Sequence, residues 1–194
     1  YSEIKMLETG NPHIKEKMDL DIQVQKLRLL KSSFLSEKYA LEYKIIKFYP
    51  QEIARRSDVI AGLKSDIERA SKHPKPMDDT FVGMTVKGAF YSEKADAGNA
   101  ILEVCKAMTN PEPIPLGEYR GFTMELYFEA REYKVRLKGE LGYPVTLGTD
   151  TFGNITRLDN ALEGLPKRLE MNEMELDNLK KQFETAKVDV ERPF

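Results

Sequence analysis

Residues 155–190 read ITRLDNALEGLPKRLEMNEMELDNLKKQFETAKVDV, and the spacing of their apolar side chains decides how the chain is organised. Ile155, Leu158, Leu162, Leu165, Leu169, Leu176, Leu179, Phe183, Ala186 and Val190 recur at alternating gaps of three and four, with Asn172 in the one polar place. The intervening positions are mostly Glu, Lys, Arg, Asn and Asp. A seam sustained in this way predicts a coiled-coil-like helix that needs a partner helix. An ordinary amphipathic helix lying on a globular core would carry a similar stripe. A lone polar residue such as Asn172 sets register or orientation at some cost in stability. Pro166 lies inside the pattern and lacks a backbone donor, so a kink or a restart is expected there.

Working back from this helix, residues 143–147, 133–138, 122–128 and 114–119 read as strands. Phe122, Met124, Leu126 and Phe128 alternate with Thr123, Glu125 and Tyr127, and Tyr133, Val135 and Leu137 alternate with Lys134, Arg136 and Lys138. That is the pattern of half-buried strands with one wet face. A loop at 129–132 sets Phe128 opposite Tyr133 and Glu125 opposite Arg136, a register in which both apolar faces agree. Asn110-Pro111-Glu112-Pro113 is a break. Before it, residues 93–108 read as a helix, and residues 81–86 with 88–91 as a short hairpin. Pro74 and Pro76 end a long helical stretch that starts with Asn11 as cap and Pro12 as first helical residue. Along that stretch Leu20, Val24, Leu27, Phe34, Leu41, Ile45 and Phe48 keep a rough three-four spacing, bent or broken at Pro50 and resumed at Ile53, Ile60, Leu63 and Ile67.

The expected fold is therefore α+β: a long antiparallel helical hairpin, coiled-coil-like, with a small β-α-β module inserted at its tip. The expected divisions are a tail from a preceding domain at 1–11, a kinked helical arm at 12–72, the inserted module at 73–153 and the return heptad helix at 154–194. The pairing seam is Leu158, Leu162, Leu165, Leu169, Asn172, Leu176, Leu179 and Phe183. The first residue is Tyr1, not Met, so the chain reads as a piece of something larger.

The chain has 194 residues, a net charge of −2, 32% charged and 41% apolar residues, and no Trp. This suits solvated helices better than a thick core, and it gives no general attraction to nucleic acid. The single Cys105 forbids an intramolecular disulfide and suits a reducing compartment such as the cytoplasm. No apolar run approaches the length of a membrane span, and there is no signal-peptide pattern. Catalytic signatures are missing: no phosphate loop, no dinucleotide fingerprint, no carboxylate pair marked for acid/base work, and too few histidines for a metal cluster, His13 and His73 standing at opposite ends of a helix. Catalytic and metal residues are thus expected to be none.

One local patch bears on nucleic acid. Lys134, Arg136 and Lys138 share a strand face, with Tyr127 and Arg120 near. Such a face would track a phosphate backbone and stack a base. Cross-strand pairing of Arg136 with Glu125 is the plainer account of the same residues, and five basic and five acidic residues balance between Glu118 and Glu140.

The segment Thr9-Gly10-Asn11-Pro12-His13-Ile14-Lys15-Glu16-Lys17-Met18-Asp19-Leu20-Asp21, continuing to Leu27-Arg28-Leu29-Leu30-Lys31, resembles a stretch of very large proteins of conjugative elements and phages. These carry a Swi/Snf-type superfamily 2 helicase motor, often fused to an adenine-specific DNA methylase. Phe81-Val82-Gly83-Met84-Thr85, Pro115-Leu116-Gly117-Glu118-Tyr119-Arg120-Gly121-Phe122 and Gly153-Asn154-Ile155-Thr156-Arg157-Leu158-Asp159-Asn160-Ala161-Leu162 also look like the C-terminal region of that group. The motor's nucleotide-binding motifs and the methylase's Asn-Pro-Pro-Tyr-type motif are missing here, and Asn11-Pro12 is followed by His13-Ile14. The resemblance implies a non-catalytic accessory domain of a DNA-acting helicase or methylase, positioning the tip module for DNA or for an intramolecular contact. It implies ATP or S-adenosylmethionine as cofactors of the parent only, and none for this chain. The alternative is a coiled-coil interaction or dimerisation element without nucleic-acid contact. The partners to expect are DNA, the rest of the parent protein, or a second chain, with no membrane.

Overall fold

The computed structural model describes residues 12–193; the expected tail at 1–11, with Asn11 as helix cap, lies outside them. The elements in chain order are helix α1 (Pro12–Tyr43), a π-helical stretch (Lys44–Phe48), α2 (Tyr49–Lys72), strands β1 (Met84–Val86) and β2 (Ala89–Tyr91), α3 (Lys94–Ala107), β3 (Ile114–Tyr119), β4 (Phe122–Glu129), β5 (Glu132–Lys138), β6 (Gly142–Thr146), α4 (Thr151–Glu163) and α5 (Leu165–Val190). Two compact units result, one of residues 54–177 and one of residues up to 53 together with those from 178 on.

The unit of residues 54–177 is built on one six-stranded antiparallel sheet in the order β2-β1-β3-β4-β5-β6. Its pleat sends Phe122, Met124 and Leu126 of β4, Val135 and Leu137 of β5, and Tyr143 and Val145 of β6 to one face, where all are buried. They join Leu63 of α2, Ile101 of α3, Ile155, Leu158 and Leu162 of α4 and Leu165 of α5 in a single core. Each fully buried Leu, Ile or Phe contributes on the order of 2 kcal/mol from lost apolar exposure, so this core, not helix pairing, stabilises the unit. The other face carries Thr123, Glu125, Arg136, Lys138 and Pro144. The β4–β5 register sets Glu125 opposite Arg136 and Phe128 opposite Tyr133, and Pro144 of β6 lies opposite Arg136.

This overturns the expected small β-α-β module. The hairpin β1–β2 and the meander β3–β6 are one substantial sheet, because β1 pairs with β3 through Thr85 opposite Glu118 and Val86 opposite Gly117. Gly117 permits that join: a Cβ there would stand 1.8 Å from the Thr85 carbonyl oxygen. Lys87 N–H then donates to Leu116 O at 2.7 Å. A coiled-coil-like hairpin with a small insert is therefore not the fold. Helices α3 and α4, with most of α2 and the first half of α5, belong to an α+β unit whose sheet has one covered face.

The expected single return helix is two helices. α4 starts with Asp150 as cap, its carboxylate accepting from Gly153 N–H at 3.1 Å. It stops at Gly164, whose N–H donates to Asn160 O at 2.9 Å. Pro166 is the second residue of α5, where a missing N–H leaves no intrahelical bond unmade.

In the other unit, Tyr49 N–H reaches back five residues to Lys44 O. This π-type turn directly precedes Pro50, whose ring would clash with the carbonyl four residues back in a regular helix. Tyr49 is buried, stacked on Phe183 with ring centroids 5.7 Å apart and edge-on to Phe48 at 5.3 Å.

Candidate functional site

Arg120 is not available for a nucleic-acid contact. It sits in the two-residue β3–β4 turn, and its side chain is buried. Its Nε donates to His73 O at 3.0 Å, Nη1 to Asp159 Oδ1 at 3.2 Å and Nη2 to Glu163 Oε1 at 3.0 Å. The Tyr119 hydroxyl donates to the same Asp159 oxygen at 2.5 Å. Burial, reinforced by that bond to a carboxylate, pushes the Tyr119 hydroxyl well above its ordinary pKa. The cluster fastens the β3–β4 turn to α4 and to the chain after α2. Its place was hidden in the sequence because its partners lie about forty residues away in both directions.

The other four proposed contact residues share the outer sheet face but do not make a free basic patch. Lys138 Nζ lies 2.9 Å and Arg136 Nη1 3.3 Å from the two oxygens of Glu125. These contacts, the Lys138 bond first, hold the Glu125 carboxyl below the usual carboxylate range. The Arg136 guanidinium lies over the Tyr127 ring at 4.6 Å, and Tyr127 is 5% exposed, which leaves little ring for a base to stack on. Lys134 is half-buried opposite Tyr127. Strand alternation also puts Glu118, Glu129 and Glu132 on this face, so carboxylates outnumber the three cations. The plainer account, cross-strand pairing, describes the geometry.

The seam residues divide between two environments. Leu158, Leu162 and Leu165 belong to the core beneath the sheet, with Leu169 packed against it. Asn172 accepts from Arg56 Nη1 at 2.7 Å and donates to Arg168 O at 2.7 Å. Leu176 and Leu179 are half-buried, and Phe183 stacks on Tyr49. The spacing of three and four marked side chains that are buried as far as Leu165 and mostly half-buried beyond it; what it did not reveal is that a sheet covers the first half of the stripe.

The least satisfied surface is on α1. None of its 32 residues is buried, and residues 19–33 are exposed without interruption. Leu20, Leu27, Leu29 and Leu30 are 60%, 59%, 70% and 60% exposed, and Ile22 and Val24 are also open. Apolar side chains in that density on a charged helix mark a contact surface. The sequence carried this signal in Ile22, Leu29 and Leu30, apolar residues that lie off the three-four spacing and widen the stripe of the first helix.

Little here resembles chemistry. The Cys105 thiol is buried and pushed up to about 11 by desolvation, so it is neither exposed nor a thiolate. Among the described residues no group of three or more His, Cys, Asp or Glu is placed to hold a metal ion. A cavity of about 250 Å³ opens beside Lys75, Arg120 and Glu163. Its cations are already engaged, Lys75 by Asp79 at 3.0 Å and Asp159 at 3.8 Å. No helix of the described residues is long and apolar enough to cross a membrane.

No family model matches the chain, and no solved structure is significantly similar to it. The chain is similar to Nucleosome assembly protein 1;3 of Oryza sativa subsp. indica, with 24% identity over 132 residues, 67% of this chain and 43% of that protein. It thus spans less than half the length of that relative.

Proposed function

We propose that this chain is a non-catalytic accessory region of a DNA-acting helicase or methylase of the mobile-element kind, and that it works through protein contacts made by its helices. The observation that carries this reading is the open apolar reach of α1 between Leu20 and Leu30. Surface of that kind favours a protein partner over solvent. The outer sheet face, with its cations on Glu125 and its excess of carboxylates, speaks against a phosphate-tracking role. The resemblance of residues 9–31 and of the three later segments supplies the parent's activity. ATP and S-adenosylmethionine would serve that parent, in the cytoplasm. The rice protein's name, which speaks of nucleosome assembly, is compatible with work beside DNA-bound proteins.

The reading predicts that the chain alone releases no phosphate from ATP and transfers no methyl group from S-adenosylmethionine to DNA. It also predicts no salt-sensitive change in fluorescence anisotropy when micromolar protein is titrated against short single- or double-stranded DNA at two salt concentrations. Binding that weakens steeply with salt and disappears in Lys134→Ala/Arg136→Ala would replace protein contact with DNA contact as the function. Either enzymatic activity would remove the accessory role.

A further inference from the structure

We infer that the open reach of α1 is covered by a second copy of this chain, whose own α1 runs antiparallel to it. The inference rests on the protein-contact reading above and names the partner.

The seam of α1 continues past the end of α5. Phe34 and Leu41 line, with Asp189 and Val190, a cavity of about 280 Å³ where the two helices meet. The same three-four spacing runs back through Leu27, Val24 and Leu20, all exposed. The unused stretch is thus a continuation of a helix-pairing stripe with no helix on it among the described residues.

The charges along the stretch select both the partner and its direction. Asp21 and Arg28 are seven residues apart and flank the stripe on the same side. In an antiparallel pair, flanking positions of the same kind meet each other. With Val24 packed against Leu27 of the second copy, Asp21 faces Arg28 of the second copy, and two-fold symmetry repeats the pair. Lys31, in the stripe itself, then packs beside Leu20 of the second copy. A parallel pair is disfavoured twice. It sets Lys31 against its own counterpart, and it sets Glu16 beside Asp21 of the second copy. The antiparallel pair also brings Glu16 near Glu37 of the second copy, so the choice of direction rests on Asp21 with Arg28 and on Lys31; between Leu20 and Lys31 the charges complement their own reversed image.

Sedimentation equilibrium from low micromolar to several hundred micromolar protein tests this. The expected result is a concentration-dependent dimer that Leu20→Asp/Leu27→Asp abolishes, with circular dichroism unchanged because both side chains are exposed. Arg28→Asp, which turns two attractions into two repulsions, should weaken the dimer by about tenfold. Asp21→Arg/Arg28→Asp should restore it. A chain that stays monomeric throughout overturns the inference, as does a dimer indifferent to the leucine variant. Loss in the leucine variant without recovery in the charge swap overturns the antiparallel arrangement. The DNA titration keeps the two readings apart: a monomer that ignores DNA loses the second copy and retains the accessory role.

Discussion

The Tyr143 hydroxyl donates to Asp66 Oδ2 at 2.5 Å, and the carboxylate that receives it is wholly buried. Asp66 stands in the apolar stripe of α2, between Leu63 and Ile67. It also accepts the N–H groups of Glu140 at 2.7 Å and Leu141 at 3.0 Å. One side chain thereby satisfies the turn between β5 and β6 and fixes the helix over that end of the sheet. Gly139 makes room for it, since a Cβ there would lie 2.1 Å from Asp66 Oδ1.

Removing the acceptor leaves three donors without a partner inside the protein. Asp66→Ala should therefore lower unfolding free energy by about 3 kcal/mol, and Tyr143→Phe, which removes one donor, by about 1 kcal/mol. Urea denaturation followed by circular dichroism measures both. Equal losses would mean that the backbone donors of the turn find water instead.

Alkaline pH should weaken the fold through the same groups. Burial first, and donation to a carboxylate second, raise the hydroxyls of Tyr119 and Tyr143 above their ordinary value of 10.0. The folded chain keeps these protons where the unfolded chain releases them. Their contribution is complete below about pH 10 and falls as pH rises beyond it. Melting temperature should be flat for this term between about pH 8 and about pH 10 and drop above. Tyr143→Phe should remove roughly half of that alkaline slope.

Arg120→Ala should destabilise by about 3 kcal/mol, because Asp159 stays buried with its nearer ionic partner gone and only Lys75, at 3.8 Å, left to balance it. Denaturant midpoints test this. A surface contact residue would show a loss near zero.

Gly117→Ala should part β1 from β3, with a loss of about 2 kcal/mol or more. Hydrogen exchange at the Lys87 amide, which donates across that join, should accelerate most. Protection unchanged at Lys87 would mean that the two strands are held by their side chains alone.

The legible parts of this fold were the local ones. Alternation in β4 and β5 gave the pairing of Glu125 with Arg136, because a one-residue slip would have turned Phe122, Met124 and Leu126 to water. Pro166 marked the restart at α5, because a missing donor is tolerated only in a first turn. The join of β1 to β3 was not legible: three-residue strands carry almost no period, and Gly117 reads as a turn residue until Thr85 is known to lie against it. Nor was the role of Arg120 legible. Spacing along the chain places it beside Lys134 and Arg136 as another cation, and only the fold brings Asp159 and Glu163 to its guanidinium. The apolar stripe of residues 155–190 was read as a helix-pairing seam, but Ile155, Leu158, Leu162 and Leu165 lie in the core under the sheet. Period alone does not tell a helix that covers it from a sheet that does.

Pro144 has one more effect. Leu147 N–H donates to Tyr133 O at 2.9 Å, so by alternation Val145 and Tyr143 point their backbone groups at β5, and Pro144 points away from it, along the free margin of the sheet. The residue with no N–H occupies the place where an incoming strand would look for one. The ribbon of strands is thereby closed to growth on that side, against stray edge-to-edge aggregation as much as against recruitment.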